Sequence, residues 1–151
     1  FRIPEAYLNK AEAQAILGDE AGAKQTLNVL REKRFVIGEM PSIESEMVAS
    51  GENLVNFVRS ERRRELCYEG HRWFDLRRYA VSPKYLETKS IKHNVYGNSY
   101  GGNGTPGILE GYYLLPTYPD GGWVLPIPAV EVEQSEGSLE QNSREDCLLY
   151  N

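Results

Sequence analysis

Little in this sequence points to metal, redox or nucleophile chemistry. Its 151 residues hold two cysteines, two histidines and two methionines. Cys67 and Cys147 are too few for a disulfide framework. One bridge or two separate thiols both fit, and separate thiols are the expectation. His71 and His93 lie far apart, and no His-Glu-x-x-His spacing occurs. Glu69, His71 and Asp75 are neighbours in sequence but form no recognised ligand set. No metal site and no cofactor is therefore expected. There is no Ser/His/Asp order and no nucleophile elbow, and nothing singles out the paired carboxylates of a glycosidase. No catalytic residue is assigned, and the chain is not expected to be an enzyme. No apolar run approaches the ~18 residues of a membrane span. No leader segment is visible, and the chain begins Phe1-Arg2 without Met. It is expected to be the C-terminal piece of something longer. A basic excess is also missing: the net charge is −5, which argues against a nucleic-acid partner.

What is present is globular in composition, with 40% apolar and 26% charged residues. One stretch dominates. Residues 59–79 carry seven Arg, no Lys and four acids, giving +3 against −8 for the rest of the chain. Arginine without lysine points to planar, two-pronged pairing with carboxylates. Val55, Val58, Arg62, Leu66, Glu69, Trp73 and Leu76 follow helical spacings, so charged and apolar residues share one stripe. The reading is a partly buried ion-pair lattice formed by Glu61, Arg62, Glu65, Glu69, Arg72 and Asp75, joined by Arg31 and Arg34. An anion or phosphate clamp is the weaker alternative. The lattice reading predicts that Glu69→Ala destabilises far more than Glu136→Ala.

The fold class is mainly α. Residues 4–34 read as a helical hairpin turning at Gly18 and Asp19. Leu8, Ala11 and Ala15 face Ala23, Leu27, Leu30 and Arg34. The pair resembles a tetratricopeptide-type unit, which needs neighbours to stack on. A short helix is expected around 43–49. The Ser50, Gly51, Glu52 and Asn53 cluster should cap a helix from about Leu54 to Glu69. Gly70 should break it before a short helix over 71–79. Residues 81–151 are loop-rich, with six of eight prolines and nine of fourteen glycines from 83 onward. Residues 94–107 read as a long ordered loop or as short strands around turns. Residues 123–128 should form an extended strap across the helices, since two prolines bar a central strand. A short helical turn follows Pro128. Residues 131–146 read as a solvated tail anchored by Leu139, and Trp123 reads as core.

Three blocks carry a resemblance. The first is Arg2, Ile3, Pro4, Glu5, Ala6, Tyr7, Leu8 through Ala13, with Gly18 and the later Leu30 to Arg34. The second is Glu61 to Leu66 with Glu69 to Tyr79. The third is Leu125, Pro126, Ile127 and Pro128, followed by Gln141 and Asn142. Together they resemble the C-terminal region of the SusD/RagB family over nearly the whole chain, 1–151. After Asn142 the chain departs from the family's usual Pro-Gly-Tyr-like ending. The resemblance implies a surface-exposed outer-membrane lipoprotein that binds glycan (oligosaccharide) nutrients, or sometimes peptides. It implies delivery to a SusC-like TonB-dependent transporter, and an N-terminal lipid anchor outside this fragment. It also implies a helical scaffold with ligand loops largely upstream, so a purely structural role for this piece is the alternative. The local candidates for ligand contact are Tyr96, Asn98, Tyr100 and Asn103, where rings for stacking on sugars lie beside amides for hydrogen bonding. The competing reading is that these tyrosines only pin a long loop.

Overall fold

The computed structural model describes residues 2–44, 50–97, 107–143 and 149–150. Two compact units divide the chain, Phe1–Leu86 and Glu87–Asn151.

The first unit is helical. Helix α1 spans Ile3–Leu17 and starts with Pro4 in its first turn, where a missing N–H costs nothing. It ends at Gly18, whose φ of 90° lets its N–H reach back to the last carbonyls. Helix α2, Glu20–Arg31, follows at once. Asp19 caps it by accepting from the Gly22 N–H at 3.0 Å. A Cβ on Gly22 would fall about 2.1 Å from that carboxylate, so a side chain there would push the Asp19 carboxylate and the Gln14 amide aside. Gln14 ties the turn together, donating to Asp19 at 2.8 Å and accepting from Thr26 at 2.7 Å. Arg34, expected on the α2 stripe, lies beyond the helix end.

Helix α3 spans Gly51–Glu65 and packs with α1 and α2. It starts three residues earlier than expected, and its cap is not local. Ser50 makes no side-chain cap. The Gly51 N–H instead donates to Glu20 Oε1 at 2.8 Å. Leu8, Ala11, Ala23, Leu27, Leu54, Val55 and Val58 close one apolar core, which Ile43 and Leu66 also join. The helix expected around 43–49 falls mostly outside the described residues. Leu66 leaves helical geometry, so α3 stops four residues short of Glu69. Gly70, at φ 79°, then starts helix α4, His71–Ala80, on a new axis. Leu76 and Tyr79 are buried, and Trp73 is half-buried.

The second unit holds a three-stranded antiparallel sheet ordered β1-β2-β3. Strand β1, Ile91–Tyr96, pairs with β2, Leu109–Leu115, and β2 pairs with the two-residue β3, Leu149–Tyr150. Of residues 94–107, read from sequence as a long ordered loop or short strands around turns, 94–96 close β1, while 98–106 lie outside the described residues. Trp123 ends a 3-10 turn, Gly121–Trp123, and is buried, with its indole N–H donating to Pro116 O at 2.6 Å. A one-turn-plus helix α5, Ala129–Gln134, follows Pro128.

One expectation is corrected here. Leu139 is no anchor, being 44% exposed. Within residues 123–128, Val124 and Leu125 are exposed, and side-chain amides hold the segment. Pro126 and Pro128 lack N–H groups, which leaves Ile127 as the donor between them. Gln141 pairs with both polar groups of Ile127, accepting its N–H at 2.9 Å and donating to its carbonyl at 2.8 Å. Asn142 donates to Leu125 O at 2.8 Å. The Gln141 amide thus takes the place of a neighbouring strand.

Candidate functional site: the arginine–carboxylate lattice and the tyrosine hairpin

The arginine-rich stretch folds onto α1 in three linked groups. The innermost centres on Glu12 and Asp75, both buried. Arg62 Nε donates to Asp75 Oδ2 at 2.8 Å, and its Nη1 donates to Asn9 Oδ1 at 2.8 Å. Glu5 stands 3.8 Å from the same guanidinium. Arg78 bridges the two acids. Its Nε donates to Asp75 Oδ1 at 3.0 Å, and its Nη atoms grip Glu12 at 3.0 and 2.6 Å. Arg59 reaches Glu12 at 3.3 Å and the Tyr85 carbonyl at 2.9 Å. The Arg59 and Arg78 guanidiniums also lie over the Tyr79 ring at 4.1 and 4.4 Å. Burial pushes the Tyr79 hydroxyl pKa upward, so the ring meets these cations as a neutral phenol. Burial alone would lower the Arg78 pKa; the hydrogen bonds to Glu12 and its charge, with smaller contributions from Tyr79 and Asp75, together outweigh that and raise it.

The second group sits at the rim. Glu65 accepts two hydrogen bonds from Arg34, at 2.8 and 2.7 Å, and one from Arg2 at 2.8 Å. Arg2 continues to Glu69 at 3.0 and 2.5 Å. In the third group, Glu61 pairs with Arg64 and stands 3.8 Å from Arg31. Arg31 is buried, donates to Pro41 O at 3.1 Å and faces the Phe57 ring.

Of the residues expected in the lattice, Arg62 and Asp75 meet in the interior, while Glu61 and Glu65 lie between interior and rim. Glu69 does not lie on the buried stripe. Its side chain is 38% exposed, because α3 has already ended and Tyr68 turns the chain at φ 62°. Arg72 is half-buried on the first turn of α4. There it lines a cleft of about 430 Å³ with Trp73 and Tyr68. Glu12 was missed altogether. A signal existed: Leu8, Ala11, Glu12 and Ala15 form one i, i+3, i+4, i+7 stripe, and an acid there needs a buried cation.

Glu65 gives the lattice a pH signature. The Arg34 hydrogen bonds, opposed by partial burial and helped by the charges of Arg34 and Arg2, hold its pKa below the ordinary carboxylate range. A depressed folded pKa means that the unfolded chain takes up the proton first. The stabilisation is full above about pH 4.3, the ordinary glutamate value, and is lost as pH falls through the lower folded value. Glu65→Gln should therefore flatten the fall of urea stability between about pH 5 and pH 3. An equally steep fall in that variant would remove Glu65 as its source.

Of the ligand candidates, Tyr96 ends β1 with its ring 54% exposed. Asn98, Tyr100 and Asn103 lie outside the described residues. Cys67 is a free, exposed thiol, and Cys147 also lies outside. His71 Nδ1 stands 3.8 Å from Glu5, not beside Asp75 as a ligand pair. Among the described residues, no group of three His, Cys, Asp or Glu is placed to hold a metal ion. No helix among them is long and apolar enough to cross a membrane.

This fold is mainly helical, with a small tyrosine-bearing sheet. Residues 1–144 match the SusD family, and the chain belongs to that family. A SusD-like protein of Formosa agariphila is 39% identical over 82 residues, covering 50% of this chain and 16% of the relative. The chain therefore spans about a sixth of the length of that relative. No solved structure gives a significant match.

Proposed function

We propose that this chain is the C-terminal scaffold of a surface-exposed outer-membrane lipoprotein that captures oligosaccharides without altering them. The captured sugar passes to a SusC-like TonB-dependent transporter, and the lipid anchor lies N-terminal to these residues. Membership of the SusD family over residues 1–144 carries this reading, since proteins of that family are generally non-catalytic binding proteins. In this reading α1 and α2 form a tetratricopeptide-like pair that stacks on further repeats. Tyr96, Asn98, Tyr100 and Asn103 offer the local sugar contacts. The arginine lattice plays a structural part: Arg34, Arg59, Arg62 and Arg78 are each engaged by carboxylates of the same unit. That engagement also favours a second reading, in which these residues only support a ligand site built elsewhere.

Calorimetric titration of the intact protein with oligosaccharides, followed by chromatography of the sugars, tests the proposal. Saturable binding with the sugars recovered unchanged is expected. Release of shorter sugars would overturn the non-catalytic reading, and saturable binding of peptides instead would move the ligand class.

A further inference from the structure

One face of the small sheet combines exposed rings with a polar set. Side chains alternate along a strand, and directly opposed residues share a face. The register sets Asn94 opposite Tyr112, and Tyr112 opposite Tyr150. Lys92, two residues from Asn94, belongs to the same face, as does Leu109, which the register sets opposite Tyr96. So does Tyr96, whose hydroxyl lies 3.4 Å from Asn94 Nδ2 across the register shift after Val95. Tyr112 is clasped from both neighbouring strands. Lys92 Nζ lies 3.7 Å from its ring centroid on the β1 side, and the Tyr150 ring stacks at 5.3 Å on the β3 side. Tyr96 and Tyr150 keep 54% and 42% of their surface open, and Lys92 and Asn94 are exposed.

The chemistry of this face selects its ligand. One ammonium, one amide and three phenol hydroxyls give both donors and acceptors. An apolar peptide would strip water from Lys92 and Asn94 without replacing it. A polyanionic chain would meet a segment, 87–151, with nine acids against three bases. A neutral polyhydroxylated chain suffers neither penalty. Its ring faces can stack on tyrosine while its hydroxyls take the polar partners. We propose that this sheet face is a binding platform for a neutral oligosaccharide. Tyr96 and Tyr150 supply the stacking surfaces, and Lys92 and Asn94 bond the sugar hydroxyls. The assignment rests on the glycan reading above and adds the site and the charge class of the ligand.

The test is calorimetric titration of the intact protein with neutral malto-, cello-, laminari- and manno-hexaose, and with a polyuronate hexamer. The wild type should bind a neutral sugar. Tyr96→Ala/Tyr150→Ala should raise the Kd for that sugar about tenfold or more, a loss of roughly 1.4 kcal/mol or more, with the circular dichroism spectrum retained. Tyr96→Phe/Tyr150→Phe, which keeps the stacking surfaces, should hold most of the affinity. If the double alanine variant does not fold, Asn94→Ala and Lys92→Ala serve instead, each expected to weaken binding of the neutral sugar several-fold. Unchanged affinity in the folded double variant, or in both polar variants, overturns the platform and leaves the glycan reading standing. A wild type that binds no sugar overturns both. Binding confined to the polyuronate and lost in Lys92→Ala overturns the neutral assignment.

Discussion

Glu12→Ala is expected to destabilise the helical unit by about 3–5 kcal/mol, the range for breaking one side of a buried ion pair. The residue is 3% exposed and holds Arg59 and Arg78 together. Its removal takes a carboxylate from the buried Arg59, whose contacts with the Tyr85 carbonyl and the Tyr79 ring survive. A carbonyl and a ring face do not replace a full negative charge. Glu69→Ala provides the contrast. Glu69 pairs with Arg2 at the rim, where both side chains are 38% exposed and water screens the pair. An effect under about 1 kcal/mol is expected there. This reverses the sequence-based prediction that Glu69 is a costly residue to remove. Urea unfolding of both variants decides the matter. Equal losses of stability would remove Glu12 from the centre of the lattice.

Trp123→Ala is the second large effect, at about 3–5 kcal/mol for truncating a large buried aromatic side chain. Trp123 is fully enclosed at the end of its 3-10 turn, and Asp120 fixes that turn by accepting from Gly122 at 2.8 Å. The indole N–H meets Pro116 O, one residue beyond the end of β2. Truncation leaves that carbonyl without its donor and opens a cavity behind the sheet's exit. Hydrogen exchange at the β1 and β2 amides reads the loss directly. Unchanged protection of those amides would show that the sheet is held by something other than Trp123.

The sequence made the arginine stretch legible because its signals are local. Seven Arg, four acids and one glycine lie within 21 residues, and Gly70, at φ 79°, starts the second helix as its backbone freedom suggests. The partners of those arginines were less legible. Glu12 shares a stripe with small apolar residues, yet nothing near it names Arg59 or Arg78 as its counter-ions. Glu69 was misplaced because its helical phase was carried past Leu66, where the backbone leaves the helix. In the second unit, the prolines at 126 and 128 showed that residues 123–128 could not be a central strand. They did not show that Gln141, 14 residues on, would supply the missing partner. A side chain that imitates backbone leaves no periodicity to read. The tyrosine hairpin was half legible. Turn composition left a long loop and short strands both open, and the register that brings Tyr112 and Tyr150 beside Tyr96 depends on pairing between distant segments.

The distances along the chain between lattice partners bear on the order of folding. Glu12 meets Arg59 and Arg78 across separations of 47 and 66 residues, and Arg2 meets Glu69 across 67. The α1–α2 hairpin, by contrast, closes through a two-residue turn and can nucleate early. Until α3 and α4 dock, Glu12 stays hydrated, and its desolvation falls on the final steps after the long loops have closed. The lattice then acts as a late-closing latch. Weakening it should leave the folding rate nearly unchanged and shorten the lifetime of the folded state. Persistence against proteases depends on that lifetime when cleavage outpaces reclosing.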